Sequence, residues 1–182
     1  SSELCATGTP ATSNSIVWTV EPLLPVSVSV AASQNNVCQG TPVTYTATAT
    51  NGGAFPTYQW YRNGIPAGAN QPVLTLVPDN GDIISVAVTS SQLCVTGSPA
   101  TSIPVVMVVN PLLAASVSIS ASQTSVCEGT PVTLTASPVN GGTPSFSWFV
   151  NNVPAGSNQP VYTYLPANGD LVHVTMTSSL AC

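Results

Sequence analysis

The residues able to do chemistry are few: five cysteines, one histidine, one arginine and six carboxylates in 182 residues. The cysteines are Cys5, Cys38, Cys94, Cys127 and Cys182. No Cys-x-x-Cys pair or neighbouring histidine offers zinc-ligand spacing, so disulfide chemistry in an oxidising compartment is the expectation. Asp79-Asn80-Gly81-Asp82 has the look of a calcium loop. Its counterpart Ala167-Asn168-Gly169-Asp170 loses a carboxylate, and a calcium shell needs six to eight oxygens. A turn held by Asx hydrogen bonds is the expected reading. His173 falls on an outward strand position with no nucleophile or acid placed to partner it. Tyr58, Tyr61 and Arg62 form a candidate exposed patch, but Val150 stands where Arg62 would recur. No carboxylate pair recurs for glycosidase work. The chain reads as a non-enzyme with no cofactor, no catalytic residue and no metal.

What positions these residues is a repeat. Val37-Cys38-Gln39-Gly40-Thr41-Pro42-Val43-Thr44 returns 89 positions later as Val126-Cys127-Glu128-Gly129-Thr130-Pro131-Val132-Thr133. Trp60 answers to Trp148 and Cys94 to Cys182 at an offset of 88, because Asn140 to Trp148 is one residue shorter than Asn51 to Trp60. Residues 2–13, SELCATGTPATS, match residues 91–102, SQLCVTGSPATS. A fixed period of this kind is the signature of a tandem array. Its phase divides the chain into residues 1–21, the last strand of a preceding repeat; 22–110, a complete repeat; and 111–182, a repeat without its last strand. The expectation is a window on a longer polypeptide.

Within one period the available cysteine pairs are Cys38 with Cys94 and Cys127 with Cys182, leaving Cys5 unpaired. Closing the 56-residue loop from Cys38 to Cys94 would contribute roughly 4 kcal/mol on the chain-entropy estimate.

Composition narrows the function classes. The chain is 43% hydrophobic and 4% charged, a balance that favours folding over disorder. One Arg and no Lys leave nothing to neutralise phosphates, which excludes ordinary nucleic-acid binding. The apolar run at residues 105–109 is far too short to span a bilayer, so no membrane insertion is expected.

The elements are strands. Val26–Val30 and Val117–Ile119 alternate with period two. Val43, Tyr45, Ala47 and Ala49 share one face, as do Val132, Leu134 and Ala136. Tyr58–Tyr61 and Phe146–Phe149 are central strands whose Trp60 and Trp148 belong to the core. Asn63-Gly64 is a hairpin turn, Val73–Val77 and Val161–Leu165 are strands ending at a proline, and Ile84, Val86 and Val88 point inward. Residues 99–109 close the domain. About seven strands per repeat of ~89 residues, with no helical periodicity, read as an all-β fold of tandem Ig-like Greek-key sandwiches. The joints Pro22-Leu23-Leu24 and Pro111-Leu112-Leu113 are expected to be stiff, with leucines packed between neighbouring domains.

Cys38-x-Gly-Thr-Pro-Val-Thr, the Tyr58-Gln-Trp60 strand and the Asn80-Gly-Asp82 turn resemble the Ig-like or PKD-like repeats of large secreted Bacteroidota surface proteins. These include gliding and attachment adhesins exported by the type IX system. The resemblance covers the whole chain and implies a cell-surface stalk, adhesin or extracellular filament. Its partners would be neighbouring repeats of the same chain, with lateral self-association where little charge opposes it. One alternative is a carbohydrate- or protein-binding module, which requires exposed aromatics in every repeat. Another is a filament subunit that exchanges its last strand. Against strand exchange, a donated strand would bring Cys5 into competition with Cys182 for Cys127.

Overall fold

The computed structural model describes Pro10 and residues 12–182. Cys5 and most of the segment before residue 12 lie outside those residues. The first module runs through β1 (Leu24–Pro25), β2 (Ser27–Ala32), β3 (Val37–Cys38), β4 (Val43–Thr50), β5 (Thr57–Arg62) and β6 (Ile65–Ala67). It continues through β7 (Val73–Leu76), β8 (Ile83–Thr89), β9 (Val95–Thr96), β10 (Ala100–Thr101), β11 (Val105–Val106) and β12 (Val109–Asn110). The second module comprises β13 (Ser116–Ala121), β14 (Val132–Val139), β15 (Ser145–Val150), β16 (Val153–Ala155), β17 (Val161–Tyr164) and β18 (Val172–Thr177).

In the first module one sheet is ordered β2-β4-β7, and the facing sheet is β6-β5-β8 with β10 and β11 added to β8. The second module repeats the layout as β13-β14-β17 against β16-β15-β18. The chain crosses between sheets after β4 and again on either side of β7. That is the connectivity of an Ig-like β-sandwich. Alternation does the sorting: along β4, Val43, Tyr45 and Ala47 are buried while Thr46, Thr48 and Thr50 face water. Trp60 lies opposite Val86 on β8 and is wholly buried, its indole Nε1 donating to the Gln71 carbonyl at 2.8 Å. Trp148 repeats this, 1% exposed and donating to Gln159 O at 2.9 Å.

Turn chemistry follows the sequence. Asn63 and Gly64 both take positive φ (54° and 78°), the pair of left-handed residues that a two-residue hairpin matching strand twist demands. Their counterparts are Asn151 and Asn152, at 51° and 64°. Asparagine tolerates this region, so the turn survives the loss of glycine.

The modules differ where the last strand should be. In the first, β11 pairs with β8, and Met107 and Val109 are 1% and 8% exposed within the core cluster. Under that cover Ile84, Val86 and Val88 are fully buried. In the second module no described strand covers β18, and their counterparts Val172, Val174 and Met176 are only half-buried.

Among the described residues, 12–21 form no strand with any partner, and Ile16, Val17, Trp18 and Val20 are exposed. Of the joint leucines, Leu24 is half-buried and the other three are exposed. Leu23, Leu112 and Leu113 are exposed by 67%, 65% and 48%, and the joints are held by backbone hydrogen bonds from Leu24 and Leu113.

Candidate functional site: the joint between modules

The incoming chain is laced to its module by main-chain bonds. Leu24 N donates to Cys94 O and Val26 N to Thr96 O, both at 2.9 Å, in the parallel pairing of β1 with β9. Asn51 Nδ2 donates to Pro25 O at 2.7 Å. The second module repeats two of these contacts: Leu113 N to Cys182 O at 2.7 Å, and Asn140 Nδ2 to Ala114 O at 2.9 Å.

The outgoing chain is laced to the other pole. β12 pairs in parallel with β3, Val109 beside Val37 and Asn110 beside Cys38. Asn35 accepts from Val108 N and donates to Val106 O, while Asn110 Nδ2 donates to Asn36 Oδ1. Asn110 is therefore tied to the first module and Leu113 to the second. Only Pro111 and Leu112 lie between, and Pro111 has its φ fixed by its ring.

The disulfide sits beside this joint. Cys38 is bonded to Cys182, with Cα atoms 5.4 Å apart, and Cys94 and Cys127 carry free, exposed thiols. The pairings Cys38–Cys94 and Cys127–Cys182 expected from the period are thus corrected. Cys94 lies at the incoming pole beside Leu24, and Cys38 at the outgoing pole beside Asn110. The seven residues of β8 run between those poles, roughly 20 Å at ~3.3 Å per residue. A disulfide spans Cα atoms less than about 7 Å apart. A bridge inside one module is out of reach; a bridge to the next module is not.

The outgoing pole also carries the ion pairs found among the described residues. Asp82, 4% exposed, accepts from Arg62 Nη2, Asn63 Nδ2 and Asp79 N at 2.7, 2.7 and 2.8 Å. Arg62 reaches Asp79 as well. Asx bonds thus occupy the Asp79–Asp82 turn, and Arg62 is a structural clamp and not part of an exposed patch. Asn80 Oδ1 accepts from Val109 N, Gly81 N donates to Met107 O, and Met107 N donates to Asp82 O, so this turn seats the last strand. In the second module Asp170 keeps its bonds from Asn151 and Ala167 N without an arginine. His173 is exposed and stacks on Phe149, ring centroids 4.8 Å apart. Among the described residues no group of three or more His, Cys, Asp or Glu gathers to hold a metal.

Burial alone would raise the Asp82 carboxyl, but the bonds from Arg62, Asp79 N and Asn63 hold it below the usual carboxylate value. A folded pKa that is depressed adds stability in full above the unfolded value near 3.9, and loses it as pH falls through the folded value. Asp82→Asn is therefore expected to cost about 2–3 kcal/mol at pH 7, the scale of hydrogen bonds to a charged group. It should also flatten the acid loss of first-module stability. Urea midpoints at pH 7 and pH 3 check both; equal acid sensitivity in the two proteins would refute the assignment.

Sequence reasoning missed Asn35 and Asn51, whose side chains bond backbone atoms of the outgoing and incoming chain, and Asn110, whose side chain bonds that of Asn36. The repetition of Asn51 as Asn140 was the available signal; Asn35 and Asn110 left none. No protein-family model and no curated protein matches the chain. Among solved structures it is similar to the crystal structure of the full ectodomain (Ig1–Ig3) of mouse nectin-like molecule 4. Identity is 16% and the TM-score 0.36, over 84% of this chain and 63% of that one. The chain thus spans under two thirds of that ectodomain's length.

Proposed function

We propose that this chain is a structural repeat segment of an extracellular bacterial filament or giant surface adhesin. Its work is mechanical: it sets spacing and direction between whatever lies at its two ends. The observation that carries this reading is the double connection between modules. A two-residue joint with bonded flanks and the Cys38–Cys182 bridge run side by side, so one module cannot swing on the other as on a single tether. A bridge of this kind fits an oxidising, extracytoplasmic setting. The near absence of lysine and arginine leaves few sites for trypsin-like proteases and little repulsion between laterally packed segments. The surface location and adhesive context come from the resemblance to Bacteroidota repeats.

Small-angle scattering of the oxidised chain tests the mechanical claim. One fixed inter-module geometry, unchanged by ionic strength and lost on reduction, is the expected result. A broad distribution of inter-module distances in the oxidised protein would refute it.

A further inference from the structure

Under tension a disulfide shortens the covalent route through a chain. Cys38 and Cys182 are 144 positions apart in sequence, yet their Cα atoms lie 5.4 Å apart. Stretched out, the residues between them would span roughly 500 Å. A pull that enters before Cys38 and leaves after Cys182 takes the short route through the two sulfurs. Residues 39–181 then form a closed loop off that route. The loop holds Trp60 and Trp148, the strands from β4 to β18, and the joint at Pro111 and Leu112.

The part of the modules left in line is short. Leu24 lies at the incoming pole of the first module and Cys38 at the outgoing pole, so residues 24–38 run the length of that module. They are fastened along the way. β1 pairs with β9, β2 pairs with β4 from Ser27 opposite Thr50 to Ala32 opposite Tyr45, and β3 pairs with β12. The turn between β2 and β3 is held too. Ser33 N donates to Thr44 O at 2.7 Å, and Asn35 bonds the backbone of Val106 and Val108. Even peeled away entirely, residues 24–38 could reach at most about 50 Å from end to end.

We propose that residues 24–38 and the Cys38–Cys182 bridge are the load line of this chain, and that the bridge is a redox switch on its extensibility. The inference deepens the mechanical reading above and rests on it. In the oxidised chain, tension passes along one fastened segment and across the bridge, while both tryptophan cores and the joint stay unloaded. Force cannot lengthen the chain by unravelling either sandwich. Reduction reverses this. Cys38 and Cys182 are only half-buried, which leaves the bridge within reach of a small dithiol. The dithiol gives two electrons and two protons to the S–S bond and closes into its own disulfide, and both cysteines become thiols. The pull must then pass through residues 39–181, loading the joint and both sandwiches in series. Only packing and hydrogen bonds now resist extension.

The test pulls single 182-residue chains by tags at their two ends, first oxidised and then with dithiothreitol. The oxidised record should show no step longer than about 50 Å, and the reduced record two steps of roughly 200–300 Å as each sandwich unravels. Cys38→Ser and Cys182→Ser should each give the reduced record without reductant. Cys94→Ser and Cys127→Ser remove free thiols and should leave the oxidised record unchanged. A long step in the oxidised chain, or one that appears on Cys94→Ser or Cys127→Ser, overturns the load line. So does a reduced chain that still fails to extend. Small-angle scattering of the same preparations keeps the two claims apart. Long steps from an oxidised chain of fixed inter-module geometry overturn the load line and leave the spacing role standing. Short steps from a chain with broadly distributed inter-module distances uphold the load line and remove the spacing role.

Discussion

Trp60→Ala should lower the stability of the first module by about 3–5 kcal/mol, the range for truncating a buried aromatic to alanine. The indole is wholly buried among Tyr45, Leu74, Ile84 and Val86, and its Nε1 satisfies the carbonyl of Gln71. Alanine leaves a void flanked by two hydrogen-bonded sheets that cannot collapse into it, and the Gln71 carbonyl loses its donor. A domain of this size has about 5–15 kcal/mol in total, so much of the margin disappears. Trp148→Ala should act on a weaker base. The second module's buried cluster has five members against ten in the first, and β18 is only half covered. That substitution is expected to leave the second module unfolded at room temperature while the first persists. Urea unfolding followed by circular dichroism in each variant separates the modules. A loss under about 1 kcal/mol at Trp60 would contradict the packing described above.

The contrast between these two tryptophans also shows what a sequence can carry. Period-two alternation placed Val43, Tyr45 and Ala47 inside and their threonine neighbours outside, because a strand's side chains have no other choice. The Asn63-Gly64 turn was legible for the same local reason: positive φ restricts which residues can stand there. The joint was not legible. Leucines beside a proline look like packing residues, but Leu23 and Leu112 lie exposed because hydrogen bonds from Leu24 and Leu113 hold the chain instead. Arg62 reads as a lone surface cation until the hairpin brings it over Asp82. The cysteine pairing failed for a deeper reason. An offset of 88 or 89 says that every repeat has cysteines at the same two places. It does not say whether a bridge closes within a repeat or between repeats. Only the parallel pairings β1 with β9 and β3 with β12 reveal that the two places are opposite poles.

Reduction of Cys38–Cys182, or Cys38→Ser, should release the joint while leaving both cores folded. The bridge closes 144 residues, a constraint on the unfolded chain of about 5 kcal/mol by the loop-entropy estimate. Neither end of the bridge lies inside a core cluster, and each sandwich keeps its own sheets. The cost of losing the bridge should therefore appear in the coupling between modules. With the bridge, unfolding one module leaves the other anchoring the chain on both sides of Pro111-Leu112; without it, the modules unfold as separate transitions. Limited proteolysis reads the local consequence. Leu112 is exposed but lies between two bonded flanks, and a leucine-directed protease needs several residues of free extended backbone. Cutting at residues 111–113 is expected to be slow in the oxidised chain and much faster after reduction. Any oxidised chain that is cut there should stay whole on a non-reducing gel and divide in two once reductant is added. Equal cutting rates in the two states would show that the backbone bonds alone fix the joint, and that the bridge adds covalent continuity without rigidity.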